Sequence, residues 1–155
     1  MLNAQTTRND SIQNYFKQIE TSIDLTHNLK RAANIEDILF KKVKLTKKNE
    51  KVNTLLELYK FYKYKNSNVA SKYNNDALEY SKSICFNKGV LKAQYNNAYL
   101  LFVNGNFDIS TDLLNKIDSS KNHTQFPNIN SDIKCLKSLI HSERGEYDIA
   151  LDLAL

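Results

Sequence analysis

Glycine and proline are scarce in this sequence, which contains three glycines and one proline among 155 residues. Runs in which apolar and polar residues alternate, the pattern of a half-buried strand, are missing as well. Glycine and proline both interrupt helices, so their scarcity favours helix along the whole chain. The missing strand pattern favours the same conclusion. The sequence therefore predicts an all-α fold.

Signals for membrane spans, zinc sites and disulfides are also missing. No stretch approaches the roughly 18 apolar residues that a spanning helix needs. The two cysteines, Cys85 and Cys135, form no CxxC pair and have no histidine nearby, so neither a zinc site nor a redox motif is indicated. We expect both to be free, partly buried thiols. The compartment stays open between cytoplasm and periplasm, because a periplasmic helical domain can also lack disulfides.

Enzyme motifs are absent from the sequence. It has no nucleophile elbow, HExxH, phosphate loop or GxGxxG, and His27, His123 and His141 have no carboxylate or cysteine partners at ligand spacing. Glu143 and Glu146 flank a turn and are interpreted as solvated helix ends. We therefore predict a protein that is not an enzyme, with no catalytic residue, metal or cofactor.

Positive charge is unevenly distributed within the formal net charge of +5. Between Leu29 and Lys65 there are eleven basic and four acidic residues. Such a region can bind nucleic acid or an anionic surface. Apart from Phe40 it has no aromatic residue before Tyr59, and it has no helix-turn-helix reader. Such runs more often form the solvated face of helices. Nucleic-acid binding is therefore an alternative and not the main prediction.

A turn motif of the form G-x-[FY]-D occurs twice, forty residues apart, at residues 105–108 and 145–148. A period of this size is typical of stacked helical repeats. Alignment at this offset adds a third copy, in which Lys65 replaces the glycine. We place the repeats at about residues 51–90, 91–130 and 131–155, the last of them truncated, within a region spanning 49–155.

Small and apolar residues recur in register around the turns, as expected where two antiparallel helices joined by a short turn cross closely. Gly105 and Gly145 are expected to adopt the positive φ that ends a first helix. Asn106 or Asp108 can then cap and charge the start of the second helix. The residues assigned a structural role in the repeat are Leu58, Ala70, Ala77, Ala98, Gly105, Phe107, Ser110, Ser138, Gly145, Tyr147 and Ala150.

This pattern resembles the tetratricopeptide repeat, whose helix-turn-helix unit carries small residues at the crossing and a G-x-[FY]-x-x-[small] turn. The resemblance covers about residues 50–155 and implies a right-handed α-solenoid of antiparallel helix pairs. Since the family's usual period is about 34 residues, we expect the additional residues in longer second helices and in the loops 86–89 and 119–130. HEAT-like repeats are the second choice, because the G-x-[FY]-D turn is not typical of them.

The pattern departs from the family at His141, which replaces an apolar or aromatic residue. We expect His141 to be packed and hydrogen-bonded and not to bind a ligand.

Both ends of the chain differ from the repeats. Residues 1–48 are predicted to form a degenerate helical hairpin that covers the array, with Asn34 capping its second helix. One apolar face contains Ile12, Tyr15, Phe16, Ile19 and Ile23, and the other contains Ile35, Ile38, Leu39, Val43 and Leu45. The last helix has an uncovered apolar stripe, so we expect a piece of a longer protein that self-associates, as a possible homodimer, through Leu151 and Leu155.

The family resemblance implies that the first helices line a concave groove, with an aromatic and apolar surface suited to an extended or helical peptide. The candidate groove residues are Leu55, Tyr59, Tyr62, Lys63, Tyr95, Tyr99, Phe102 and Leu139. Family members that grip a chaperone tail have Lys and Asn where Leu55 and Tyr59 stand, so that ligand is disfavoured. The alternative for any one ring is that it packs between repeats.

The function implied by the resemblance is a non-enzymatic module that binds a protein or peptide. Similar arrays form the sensory or regulatory part of larger signalling or transcription-regulating proteins in bacteria of the Bacteroidetes kind. Two alternatives remain, which are nucleic-acid or anionic-surface binding through residues 29–65, and a purely structural assembly scaffold.

Overall fold

The computed structural model of the chain describes residues 30–120 and 125–154, which contain helices and turns and no strand. The prediction of an all-α fold is confirmed for these residues. The helices described are α1 (residues 30–45), α2 (Lys48–Tyr62), α3 (Ser67–Ser83), α4 (Asn87–Val103), α5 (Phe107–Ser119), α6 (Pro127–Glu143) and α7 (Tyr147–Ala154).

The chain divides into two compact units, Met1–Phe40 and Lys41–Leu155. The boundary falls inside α1, whereas the sequence placed the end of the N-terminal hairpin at residue 48. We expected Asn34 to cap a helix, but it lies within α1, which already includes residue 30. The predicted face of residues 12–23 lies outside the described residues.

The apolar face predicted along α1 is mostly exposed to solvent. Ile38 is 61% exposed and Leu45 is 81% exposed, while Leu39 is buried. Val43 packs against the core of the second unit. Periodicity identifies the residues that share a helix face, but it does not show that another element covers that face.

The second unit repeats a pair of helices with the period found in the sequence. Its second helices α3, α5 and α7 begin at Ser67, Phe107 and Tyr147, forty residues apart. Each helix from α2 to α6 contacts the next one, and the first helices also contact each other in the pairs α2 with α4 and α4 with α6. Because the connections are short, consecutive helices run antiparallel.

Small residues lie where the paired helices cross. Ser110 Oγ of α5 donates to the Ala98 carbonyl of α4 at 2.8 Å, and Ser138 Oγ of α6 donates to the Ala150 carbonyl of α7 at 2.7 Å. The serine is therefore on the second helix in one pair and on the first helix in the next. Either arrangement joins two backbones through one hydroxyl, which requires close approach.

The two glycine turns close in the same way. Gly105 and Gly145 have φ values of 76° and 77°. The following amides of Asn106 and Glu146 donate to carbonyls five residues earlier, each at 2.9 Å. This is the hydrogen bond that ends a helix through a left-handed residue.

The copy with Lys65 closes differently. Lys65 keeps a negative φ, and the amide of Asn66 donates to Tyr62 O, four residues earlier, at 2.8 Å. The Asn66 side chain accepts from Val69 N and so caps α3. The expected cap by Asn106 does not form, although Asp108 does lie in the first turn of α5. Of α3 and α5, only α3, which follows the turn without a glycine, has a side-chain cap.

The predicted loop at residues 86–89 is mostly helix, because α4 begins at Asn87. Gly89 is buried there, and a Cβ built on it would lie 2.4 Å from Ser81 Oγ and 2.8 Å from Val52 Cγ1. The connection is short because Cys85 takes the left-handed position, with φ 56°.

The expected longer second helix is found in α3, with 17 residues, and not in α5, with 13. Pro127 begins α6, a position that suits its fixed φ.

A fully buried asparagine, Asn74, links two helices of the second unit. Asn74 of α3 donates to the carbonyl of Ala93 and to Asn97 Oδ1, both at 2.7 Å. Its own Oδ1 accepts from Asn96 Nδ2 at 2.8 Å. The position forty residues later is the buried Leu114. At the same repeat position, Asn74 therefore forms a polar link between α3 and α4, whereas Leu114 in the next copy is part of the apolar core.

Candidate functional site

A groove of about 610 Å³ runs along α2 and α4, the first helices of two successive pairs. The helix α6 adds Ile129 and Asp132 to its lining, and Phe86 lies in the lining just before α4. All of its lining residues belong to the second unit. The contact between α2 and α4 therefore produces a concave surface of a size typical for ligand sites.

Three tyrosines line the groove, namely Tyr59, Tyr95 and Tyr99. Tyr59 is 2% exposed, and its hydroxyl donates to the Asn96 carbonyl at 3.5 Å. The hydroxyls of Tyr64 and Tyr99 lie 3.2 Å apart. Lys63 Nζ lies 4.4 Å from the centre of the Tyr64 ring and 4.7 Å from that of Tyr99, so it covers one face of each ring.

The hydroxyls in this groove stay protonated at neutral pH. Burial, followed by the charge of Asp132, raises the pKa of Tyr95 to about 12. The hydrogen bond with Tyr64, followed by burial, raises the pKa of Tyr99 to about 12. Burial also raises the pKa of Tyr59. These side chains are therefore neutral hydrogen-bond donors.

Four lysines line the same groove, with Lys60 on α2, Lys63 directly after α2, and Lys88 and Lys92 on α4. Burial lowers the pKa of Lys92, and its neighbours Lys88 and Lys60 lower it further. Two carboxylates, Glu57 and Asp132, are also in the lining. The groove is therefore cationic as well as aromatic, whereas the sequence predicted an aromatic and apolar surface.

Half of the predicted groove residues line this groove. Tyr59, Lys63, Tyr95 and Tyr99 do so, whereas Leu55, Tyr62, Phe102 and Leu139 lie outside the lining. Leu55 is 5% exposed and is part of the core. Tyr62 stacks on Tyr73 with ring centres 5.8 Å apart, and Phe102 packs against Phe107 at 5.7 Å. Leu139 is exposed on α6.

Sequence reasoning missed Lys60, Lys88, Lys92 and Asp132. The signal was present, because Lys88 and Lys92 are four residues apart on one helix and Lys60 and Lys63 are three apart, so each pair shares a face. Positions matched to the family pattern instead point mainly to tyrosines on the concave face.

A second groove of about 440 Å³ lies along α3, α4 and α5. Its polar lining consists of asparagine and serine side chains, including Asn68, Asn75 and Asn104, and contains no charged residue. Of these two grooves, only the one along α2 and α4 is charged.

The remaining candidates have ordinary structural roles. His141 Nδ1 lies 2.5 Å from Glu146 Oε2, so His141 is hydrogen-bonded as predicted and Glu146 is not simply a solvated helix end. Cys85 and Cys135 are free, but both are exposed and not partly buried as expected. His27 and His123 lie outside the described residues. Within residues 30–120 and 125–154, no group of three side chains is arranged to hold a metal ion.

The exposed apolar stripe expected on the last helix is described in part. Leu151 is 60% exposed and Ile149 is 48% exposed, while Leu155 lies outside the described residues. Among the helices that the structure describes, none has the length and apolar character needed to cross a membrane.

No protein-family model, curated protein or solved structure matches the chain. The resemblance to tetratricopeptide repeats therefore stays a prediction that rests on the residues of this chain.

Proposed function

We propose that residues 49–155 form a tetratricopeptide-like array, a right-handed α-solenoid of antiparallel helix pairs, that binds a protein or peptide and is not an enzyme. The forty-residue spacing of α3, α5 and α7 supports the repeat. The contacts between α2 and α4 and between α4 and α6 support stacking of the pairs. A regulatory part of a larger bacterial signalling protein is the context proposed for it.

The groove between α2 and α4 is the observation that carries this proposal. Its lining combines the half-buried Tyr95 and Tyr99 with the flexible cations Lys60 and Lys88. Rigid tyrosine rings offer contact area at small entropic cost, and their hydroxyls orient a bound backbone. A peptide segment can bury its side chains against these rings while the lysines contact its polar groups.

The basic region 29–65 supports the nucleic-acid alternative less well. Within it, Lys42 forms an ion pair with Glu57 at 3.2 Å, and Lys51 lies over the Tyr80 ring. Part of this charge is therefore used in contacts within the chain.

Replacing Tyr99 with alanine tests the proposal. Peptides selected from a random display library on the whole chain should bind the Tyr99→Ala variant roughly tenfold or more weakly, because a buried aromatic contact typically contributes that much. Tyr147→Ala is the matched control, since Tyr147 is 69% exposed on α7 and outside the groove. Its affinity should change less than about twofold. Equal binding by the wild type and the Tyr99→Ala variant would contradict the proposal.

A further inference from the structure

Like charges face each other across the groove. Lys60 on α2 and Lys88 and Lys92 on α4 line the same groove. Burial, followed by the charges of Lys88 and Lys60, lowers the pKa of Lys92. Among residues 30–120 and 125–154, no carboxylate forms an ion pair with any of the three. Unpaired ammonium groups that line one concave groove repel each other, and a bound anion would relieve that repulsion.

The two carboxylates in the lining neutralise only part of this charge. Glu57 already binds Lys42, at 3.2 Å. Asp132 lies on α6. After burial, its charge is the next cause of the raised pKa of Tyr95, and it partly offsets the lowering of the pKa of Lys92. Four lysines therefore face two carboxylates, one of which is engaged outside the groove.

The neutral donors next to the lysines suit a carboxylate. Tyr95 and Tyr99 keep their protons at neutral pH and lie in the same lining as Lys60 and Lys92. A carboxylate can accept a hydrogen bond from a hydroxyl while it pairs with an ammonium group, and such charge-assisted bonds are stronger than neutral ones.

Nucleic acid fits the groove less well. Proteins that bind single strands without sequence preference stack bases on free ring faces. Here Lys63 covers one face of both Tyr64 and Tyr99, and Tyr59 is 2% exposed. The lining carboxylates Glu57 and Asp132 would also repel phosphates.

We propose that the groove binds an acidic peptide segment, whose carboxylates contact Lys60, Lys88 and Lys92 and accept hydrogen bonds from Tyr95 and Tyr99. This inference rests on the proposed function, since it names the chemical class of the peptide. Acidic side chains spaced along an extended segment can reach both walls of the groove, one formed by α2 and the other by α4.

Binding of defined probes to the whole chain tests the inference. We would measure fluorescence anisotropy with a labelled ten-residue peptide of alternating glutamate and glycine, with the same peptide carrying glutamine in place of glutamate, and with a ten-nucleotide thymidine strand. The groove variant combines Lys60→Gln with Lys92→Gln. The control variant combines Lys72→Gln with Lys116→Gln, which removes the same charge from exposed positions on α3 and α5.

The glutamate peptide should bind the wild type more tightly than either other probe. Its dissociation constant should rise roughly tenfold in the groove variant and less than about twofold in the control. Equal losses in the two variants, equal binding of the glutamine peptide, or tighter binding of the thymidine strand would overturn the inference. Display-selected peptides that depend on Tyr99 but carry no acidic residues would also overturn it, while leaving the proposed function in place.

Discussion

Replacing Asn74 with aspartate is expected to destabilise the fold by about 3 kcal/mol at neutral pH. The Asn74 amide nitrogen donates to two acceptors, the Ala93 carbonyl and Asn97 Oδ1, both at 2.7 Å. An aspartate would place a charged oxygen against these two acceptors at a position with 0% exposure. Chemical denaturation followed by circular dichroism at pH 7 measures the loss.

The matched control is Asn75→Asp, the same chemical change at the neighbouring exposed position, where the stability should change by about 0.5 kcal/mol or less. The Asn74→Asp loss should also depend on pH. Burial raises the pKa of a carboxyl in the folded state, so the penalty is smallest below the unfolded value of about 4 and grows as the pH rises above it. Similar losses for the two variants, or a loss that shrinks as pH rises, would contradict the buried hydrogen-bond network.

Replacing Gly89 with alanine is expected to destabilise the fold by about 2 kcal/mol. The new Cβ would lie 2.4 Å from Ser81 Oγ, 2.7 Å from Phe86 Cδ1 and 2.8 Å from Val52 Cγ1. Alanine favours helix over glycine by about 1 kcal/mol, and this gain is smaller than the cost of moving core atoms. Thermal and chemical denaturation of the variant measure the net effect.

Gly105→Ala separates crowding from backbone strain. A Cβ at Gly105 would meet no atom within 4 Å, but the residue has a φ of 76°, so only the left-handed conformation costs free energy, about 1 kcal/mol. A second variant, Gly89→Ala combined with Ser81→Ala, removes the nearest clashing atom and should recover part of the lost stability. A Gly89→Ala protein as stable as the wild type would show that α4 does not approach α2 and α3 this closely.

The features that could be predicted from the sequence are local ones. Two such features are the positive φ of Gly105 and Gly145 and the small residues Ala98 and Ser110 at a helix crossing. Each depends on residues within one helix pair. Turn chemistry and side-chain size determine such features with little help from the rest of the chain. The repeat spacing then reveals them, because the same residues recur forty positions later.

The features that could not be predicted depend on which faces meet. Asn74 and Leu114 occupy the same repeat position, yet one forms a polar network with Asn96 and Asn97 and the other is apolar core. The sequence showed the apolar period of α1 but not that Ile38 is exposed. A burial assignment needs the partner of each face, and periodicity alone does not supply it.

The candidate groove illustrates the same limit. The position of Tyr59 in the repeat predicts that it lies on a ligand surface, but the ring is almost wholly covered by its own chain. Lys88 and Lys92 were visible as a pair on one face of α4, but only the contact between α2 and α4 shows that this face lines a groove with Lys60.

Hydrogen–deuterium exchange of the whole chain, with and without a display-selected peptide, tests the central claim most directly. The claim is that the first helices α2 and α4 form the binding surface. We predict that the peptide slows exchange in residues 48–62 and 87–103 and leaves residues 67–83 and 107–119 unchanged, because bound ligand stabilises the helices that it contacts. Slower exchange confined to α3 and α5, or no change in α2 and α4, would contradict the account.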